Sequence, residues 1–256
     1  MASSPCTVDL NCSLNGVCSS GTCECDKPWG GRACGELQYV TTPAIAKNLY
    51  NTSDPRNTWN GPIHYDSESG KYHLYDPLYN VGSLGGPPRV MHGVADKIEG
   101  PYDWSHFPDV CEKCGENPAF LVFPNKTNGD ADVFSLWIGG AIWTADSPDG
   151  PFTKLPSASY PGANPTPVFH NGSFFLTNQA TTQVLTTDKL DGSRWSLHAN
   201  IAHPPMPNTT QYHVEDPFMW IDPRGNWHII NHAYDNYQYE NCGSSTLSAH
   251  FYSADG

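Results

Sequence analysis

The sequence predicts an all-β protein: a small disulfide-held module followed by a β-propeller. Three observations carry that expectation. Six cysteines crowd into the first 34 residues, two motifs then recur in a fixed order, and no amphipathic helical stretch of any length is present.

Composition narrows the class first. The 256 residues allow one large domain with a small one beside it. The net charge is -13, with 13 Lys+Arg and no basic run. Nucleic acid and anionic membrane are therefore poor partners, because phosphate binding needs clustered Lys and Arg. The 23 glycines, 23 prolines and 12% aromatic residues suit many strands joined by turns. No apolar run is long enough to span a bilayer. Nine cysteines point to an oxidising, extracellular or secreted setting. The sequons at Asn11, Asn51, Asn125, Asn171 and Asn208 agree with it. The chain opens Met1-Ala2-Ser3-Ser4-Pro5 without a signal peptide, and reads as a mature segment of a longer precursor.

The N-terminal cysteines are Cys6, Cys12, Cys18, Cys23, Cys25 and Cys34. So short a segment cannot bury enough apolar surface to fold alone, so bridges must hold it. Asn15-Gly16 and Gly21 supply residues that tolerate positive φ. Paired cysteines also bind zinc, but this segment contains no histidine, and spacing alone leaves the connectivity open. The run from Cys23 to Cys34, C-E-C-D-K-P-W-G-G-R-A-C, resembles the ending of EGF-like domains. That resemblance implies the pairs Cys6–Cys18, Cys12–Cys23 and Cys25–Cys34. It also implies a surface that can meet an extracellular protein partner. Calcium-binding members carry acidic residues before the first cysteine. Only Met1 to Pro5 precede it here, so no calcium is expected in this module.

From about Leu37 the chain repeats itself, which divides it into residues 1–36 and 37–256. One unit is a proline opening an apolar strand: Asn60-Gly61-Pro62, Glu116-Asn117-Pro118, Ala163-Asn164-Pro165 and Glu215-Asp216-Pro217. The other ends in an acidic-Gly turn, at Gly100, Gly150, Gly192 and Gly256. Together they predict a hairpin and two further strands per repeat, a four-stranded blade of about 50 residues. A β-sandwich with coincidental turns is the competing architecture. Tyr72-His73-Leu74-Tyr75 and Trp227-His228-Ile229-Ile230 alternate as half-buried strands do.

Two stretches carry a family resemblance. Trp59-Asn60-Gly61-Pro62-Ile63-His64-Tyr65 resembles the first blade of invertase-type enzymes. Glu215-Asp216-Pro217-Phe218-Met219-Trp220 resembles the acid-bearing blade of glycoside hydrolase family 43. The resemblance implies a five-bladed propeller, of which about three and a half blades are present. It also implies hydrolysis of glycosidic bonds in a polysaccharide or other glycan. It places the general acid at Glu215, the base position at Gly61 and the modulator position at Asn164; in the invertase register the nucleophile position is Thr58. Glycoside hydrolysis needs two carboxyl groups flanking the sugar, so two expected acids are missing. The base then comes from Asp54, Asp76 or Glu116, with Glu116 in the register of Glu215. Otherwise the site only holds sugar, with Asn60, Asn117 and Asn164 as hydrogen-bonding groups beside Asp216.

His92, His213 and His232 are further candidates to bind sugar, to position Glu215 or to ligate an axial ion such as calcium; no other cofactor is implied. The commoner state of such a residue is a hydrogen-bonded strand histidine. Trp59 and Trp220 can stack on sugar rings or pack in a core. Asp66, Asp149, Asp191 and Asp222 are accounted for by turn chemistry. Cys111-Glu112-Lys113-Cys114 reads as half of a structural bridge, from Cys111 or Cys114 to Cys242.

Overall fold

The computed structural model describes residues 5–38, 58–79, 88–104, 109–124, 132–179, 183–190, 194–202, 213–234 and 246–256. The N-terminal segment forms two short antiparallel pairs, β1 (Gly16–Ser19) with β2 (Thr22–Cys25) and β3 (Trp29–Gly30) with β4 (Glu36–Leu37). Its core is largely sulfur. Bridges Cys6–Cys18, Cys12–Cys23 and Cys25–Cys34 meet there, and Cys12 and Cys34 are fully buried. Gly16 has no alternative, because a Cβ would fall 2.4 Å from the Glu24 carbonyl and 2.9 Å from the Cys34 sulfur.

Four antiparallel sheets follow, each a repeat of the sequence. The first contains β5 (Ile63–Asp66), β6 (Lys71–Leu78) and β7 (Arg89–Ala95), with Asp103 bridging Val94 where a fourth strand would run. The second contains β8 (Ala119–Pro124), β9 (Asp132–Ile138), β10 (Ala141–Ala145) and β11 (Thr153–Ser159). The third contains β12 (Thr166–His170), β13 (Ser173–Thr177), β14 (Gln183–Thr187) and β15 (Ser196–Asn200). The fourth contains β16 (His213–Ile221), β17 (Trp227–Tyr234) and β18 (Thr246–Ser253). In every sheet the strands lie in chain order, so short hairpin connections suffice.

Between successive sheets lie apolar layers, as a propeller requires. Tyr75, Val90, Leu136 and Ile138 fill the first junction, and Trp137, Ile142, Phe174 and Leu176 the second. Phe175, Val184, Met219, Trp227 and Ile229 fill the third. β8, β12 and β16 are neighbouring innermost strands, and the Met219 amide donates to the Thr166 hydroxyl oxygen at 3.0 Å. The fold is an all-β propeller, with no α-helix among the described residues.

The fourth sheet has a second covered face. Met219, Trp227 and Ile229 turn to the third sheet, whereas alternating Trp220, His228 and Ile230 turn to the N-terminal module. Trp29 stacks on His250 with ring centroids 4.6 Å apart. The Arg224 guanidinium donates to the Leu14 carbonyl at 2.7 Å and to Asp26 at 2.6 Å. The face of the module that carries Trp29 and Asp26 is thus taken by the chain's own fourth sheet.

One cysteine expectation is corrected. Cys111 and Cys114 bridge each other, with Cα atoms 6.0 Å apart, while Cys242 lies outside the described residues. The local reason is backbone anchoring: Val90 N–H donates to Cys111 O and Cys114 N–H to Pro88 O, which folds the C-x-x-C segment back beside β7.

Candidate functional site

The four prolines converge. Pro62, Pro118, Pro165 and Pro217 line one axial cavity of about 420 Å³. Two residues before Pro62, and one before each of the other three, stands a residue in left-handed backbone: Asn60 (φ 55°), Asn117 (φ 51°), Asn164 (φ 48°) and Asp216 (φ 47°). Among residues with a side chain, Asn and Asp tolerate this conformation best. That accounts for residue type at the four positions before any function is invoked.

The conformation aims the side chains at one another. The Asn60 amide donates to Asn117 Oδ1 at 3.1 Å, and the Asn117 amide donates to Asp216 Oδ1 at 3.3 Å. The Asn164 amide donates to the same Asp216 oxygen at 2.7 Å. Three amides and one carboxyl therefore form a polar ring at the end of the cavity where the inner strands begin. In β16 the ladder shifts register between Glu215 and Phe218, so Pro217 sits where no ladder bond is needed.

Further acids flank the ring. Burial raises the Asp216 carboxyl above the usual range and the neighbouring Glu215 charge raises it again, against the Asn164 hydrogen bond and His232, with Glu116 adding a smaller upward push. Glu116, Glu215 and His232 therefore all lie within electrostatic reach of Asp216. The Gln179 amide donates to Glu215 Oε1 at 3.1 Å, and the Tyr79 hydroxyl donates to Glu116 Oε2. His232 faces Glu215 across the β16–β17 ladder. Tyr79 and Gln179 were not among the sequence candidates. The signal was topological: each follows the second strand of its sheet, which returns antiparallel to the end where the first strand starts.

Other candidates lie elsewhere. His92 is buried between the first two sheets, stacked on Tyr75 at 4.7 Å, and does not line the axial cavity. Burial lowers its pKa to about 3. Trp220 stacks on His228 at 4.9 Å and lines the cavity against the N-terminal module, because β16 alternation turns it from the third sheet. Trp59 is exposed beside Asn60, and its amide donates to the Pro77 carbonyl. Asp76 is fully buried in β6, whereas Asp54 and the side chain of His213 lie outside the described residues. Gly61 carries no acid for a steric reason: a Cβ there would fall 2.7 Å from the Tyr75 carbonyl oxygen.

One side-chain cluster has metal-like spacing. Ligand atoms of His73, His92 and Asp149 lie within 4.8 Å of one another, with His73 Nδ1 and His92 Nε2 at 3.0 Å. The fourth sheet repeats the pair, His228 Nδ1 and His250 Nε2 at 3.1 Å, at equivalent positions on its second and third strands. There Asp222 approaches the other nitrogen of His228 instead. A pair that recurs without the shared carboxylate is a packing element of the repeat. The grouped Cys6, Cys12 and Cys23 are all in disulfides, so they are not ligands either.

No family model matches the chain, and no curated protein matches its sequence. Solved structures do match. A protein of Bifidobacterium bifidum s17 assigned as an exo-β-1,3-galactanase superimposes with a TM-score of 0.52 at 15% identity, over 77% of this chain and 68% of that one. A family 43 β-1,3-galactosidase gives 0.50 at 15% identity, over 93% and 50%. A fructofuranosidase from Schwanniomyces occidentalis gives 0.50 at 16%, over 77% and 43%. The chain thus spans about half or less of the last two. At such identities the likeness is one of fold alone, a β-propeller similar to those of these three proteins.

Proposed function

We propose that this protein acts on a glycan at the axial cavity and hydrolyses glycosidic bonds, with Glu215 as general acid and Glu116 as base. The observation that carries the reading is that Asn117 and Asp216 line one end of that cavity and hydrogen-bond each other, which brings Glu116 and Glu215, the residue before each, to the same end. Gln179 orients Glu215, and Tyr79 holds Glu116. Asp216, with its proton affinity raised by burial, serves as the hydrogen-bonding centre of the ring together with Asn60, Asn117 and Asn164. His232 supports Glu215 from the adjacent strand. A neutral glycan suits a chain of net charge -13 better than an acidic one. Disulfides of this density are typical of extracellular proteins, so an EGF-like module and an extracellular site of action belong to the same proposal. Among the described residues, no helix is long and apolar enough to cross a membrane.

A second reading has its own observation. Three of the four ring positions are amides, which hydrogen-bond hydroxyls but cannot take a proton in catalysis. On that reading the cavity binds glycan without cleaving it. Release of reducing sugar from arabinan, xylan, fructan and galactan separates the two. Glu215→Gln and Glu116→Gln should each lower release by about 100-fold or more. Binding by calorimetry with no release from any polymer would replace hydrolysis by recognition, and unchanged release in Glu215→Gln would remove Glu215 from the mechanism.

A further inference from the structure

The Cys111–Cys114 bridge closes too short a loop to serve mainly as a staple. Its cysteines are three positions apart, against 9 to 12 for the bridges of the N-terminal module. A bridge constrains the unfolded chain less as the loop it closes shortens, so this one contributes least of the four to global stability. What it does constrain is local shape. Lys113, inside the loop, has φ 55°, and Gly115 and Asn117 follow at 108° and 51°. Gly and Asn accept left-handed backbone, whereas a lysine adopts it only where its surroundings impose it.

The loop stands directly before Glu116. Cys111 is buried with Val90, Leu136 and Ile138 in the first junction, and Cys114 packs against the same cluster. The Cys114 carbonyl oxygen lies so close to the turn between β9 and β10 that a Cβ at Gly139 would fall 2.0 Å from it. Beyond this anchor β8 begins only at Ala119, so residues 115–118 stand outside any ladder among the described residues. Glu116 is exposed, and the hydroxyl of the buried Tyr79 reaches its carboxylate from the first sheet. The carboxylate is thus placed from two sides, by Tyr79 across the junction and by its own anchored segment.

We infer that the Cys111–Cys114 bridge is a positioning element for Glu116, holding residues 111–117 in the shape that brings its carboxylate to Tyr79 at the axial cavity. This rests on the hydrolytic reading above, in which Glu116 is the base, and adds the covalent support for that base. Placement matters steeply here, because a displacement of about 1 Å can cost about 100-fold in rate.

The test removes the bridge and leaves Glu116 in place. In Cys111→Ala/Cys114→Ala, kcat for the accepted glycan should fall at least about tenfold with KM within about threefold. Tyr79→Phe should add little to that loss, because both changes free the same carboxylate. A lowered thermal midpoint with kcat intact at temperatures well below it would make the bridge merely structural and overturn the inference. So would a Tyr79→Phe effect that multiplies in full. Should the double variant fail to fold, Gly139→Ala pushes on the Cys114 carbonyl with the bridge intact, and an unchanged kcat there overturns the inference equally. A readout independent of turnover separates the positioning from the base role itself. The ring-carbon NMR signal of Tyr79 in labelled protein should shift in the double variant. A shifted signal in a protein that cleaves no glycan supports the positioning and removes the base role, while an unshifted signal overturns the positioning whether or not the wild type cleaves.

Discussion

Two junctions in this molecule solve one packing problem with different covers. The forward face of the first sheet presents the stacked pair His73 and His92, and the second sheet closes over it, with Phe120 stacked on Tyr75 at 4.9 Å and the Tyr75 hydroxyl donating to Pro148 O at 2.6 Å. The matching face of the fourth sheet presents the stacked pair His228 and His250. No further blade closes over it among the described residues; the N-terminal module does, through Trp29 and Asn15. The same strand positions therefore demand burial in both places, and whichever segment is at hand satisfies them. The difference lies in density. The inter-sheet junction is filled by large side chains, while the module junction keeps an open cavity and relies on Arg224 as a clasp.

That contrast can be broken at its tightest point first. Tyr75 is fully buried, so Tyr75→Ala should cost about 3–5 kcal/mol through lost burial and a residual cavity. Trp220→Ala at the module junction should cost clearly less, because one side of its ring already faces the cavity. Denaturant unfolding of both variants decides; equal losses would mean the two junctions are packed alike.

Next in size is the start of the first inner strand against that of the fourth. Gly61→Asp would put a carboxyl where the family 43 resemblance expects a base, but its Cβ meets backbone. A loss of about 1–3 kcal/mol and no gain in sugar release are expected. A stable, more active variant would show that the strand can shift to accept the acid.

Acid should then separate the junctions. Burial, with a smaller push from His73, lowers His92 to about 3; burial, with a smaller push from His228, lowers His250 to about 4. The unfolded chain protonates both near the ordinary histidine value of about 6.5. Below that value the unfolded state binds more protons than the folded one, so stability is complete above it and falls as the pH drops. Each histidine contributes a slope of up to about 1.4 kcal/mol per pH unit. His250 protonates first, so the module should loosen near pH 4 while the first two sheets stay joined. Histidine NMR titration reads this directly, and simultaneous loss of both junctions would refute it.

The smallest effect belongs to the clasp. Arg224 and Asp26 are partly exposed, so solvent screens the pair, and Arg224→Ala should cost only about 0–1 kcal/mol of global stability. Faster proteolysis between the module and the propeller should nevertheless be detectable. Cleavage at the wild-type rate would show that Trp29 and Asn15 hold the module unaided.

Much of this architecture was legible in the residues. The recurring prolines and acidic-Gly turns mark the sheets because a hairpin needs specific turn chemistry at its ends, and chemistry of that kind is written locally. The cysteine spacing likewise marked a module held by bridges. The site was only partly legible. Glu116, Glu215 and the ring residues announce themselves by standing before the prolines, but Tyr79 and Gln179 follow strands whose return path must be known first. For His92 and Trp220 the residues left sugar contact and packing both open for a related reason: alternation says that a strand residue faces one side, yet not which neighbour waits there.

Local sequence, then, determined the strands, their turns, the sulfur-held module and the Asn/Asp positions that tolerate left-handed backbone, since each of these depends on a few adjacent residues. Only the tertiary structure decided that Asn60, Asn117, Asn164 and Asp216 meet in one ring, that Cys111 pairs with Cys114, and that the module covers the fourth sheet. Those outcomes join residues up to hundreds of positions apart, and such pairings are set by which buried faces find each other when the sheets pack.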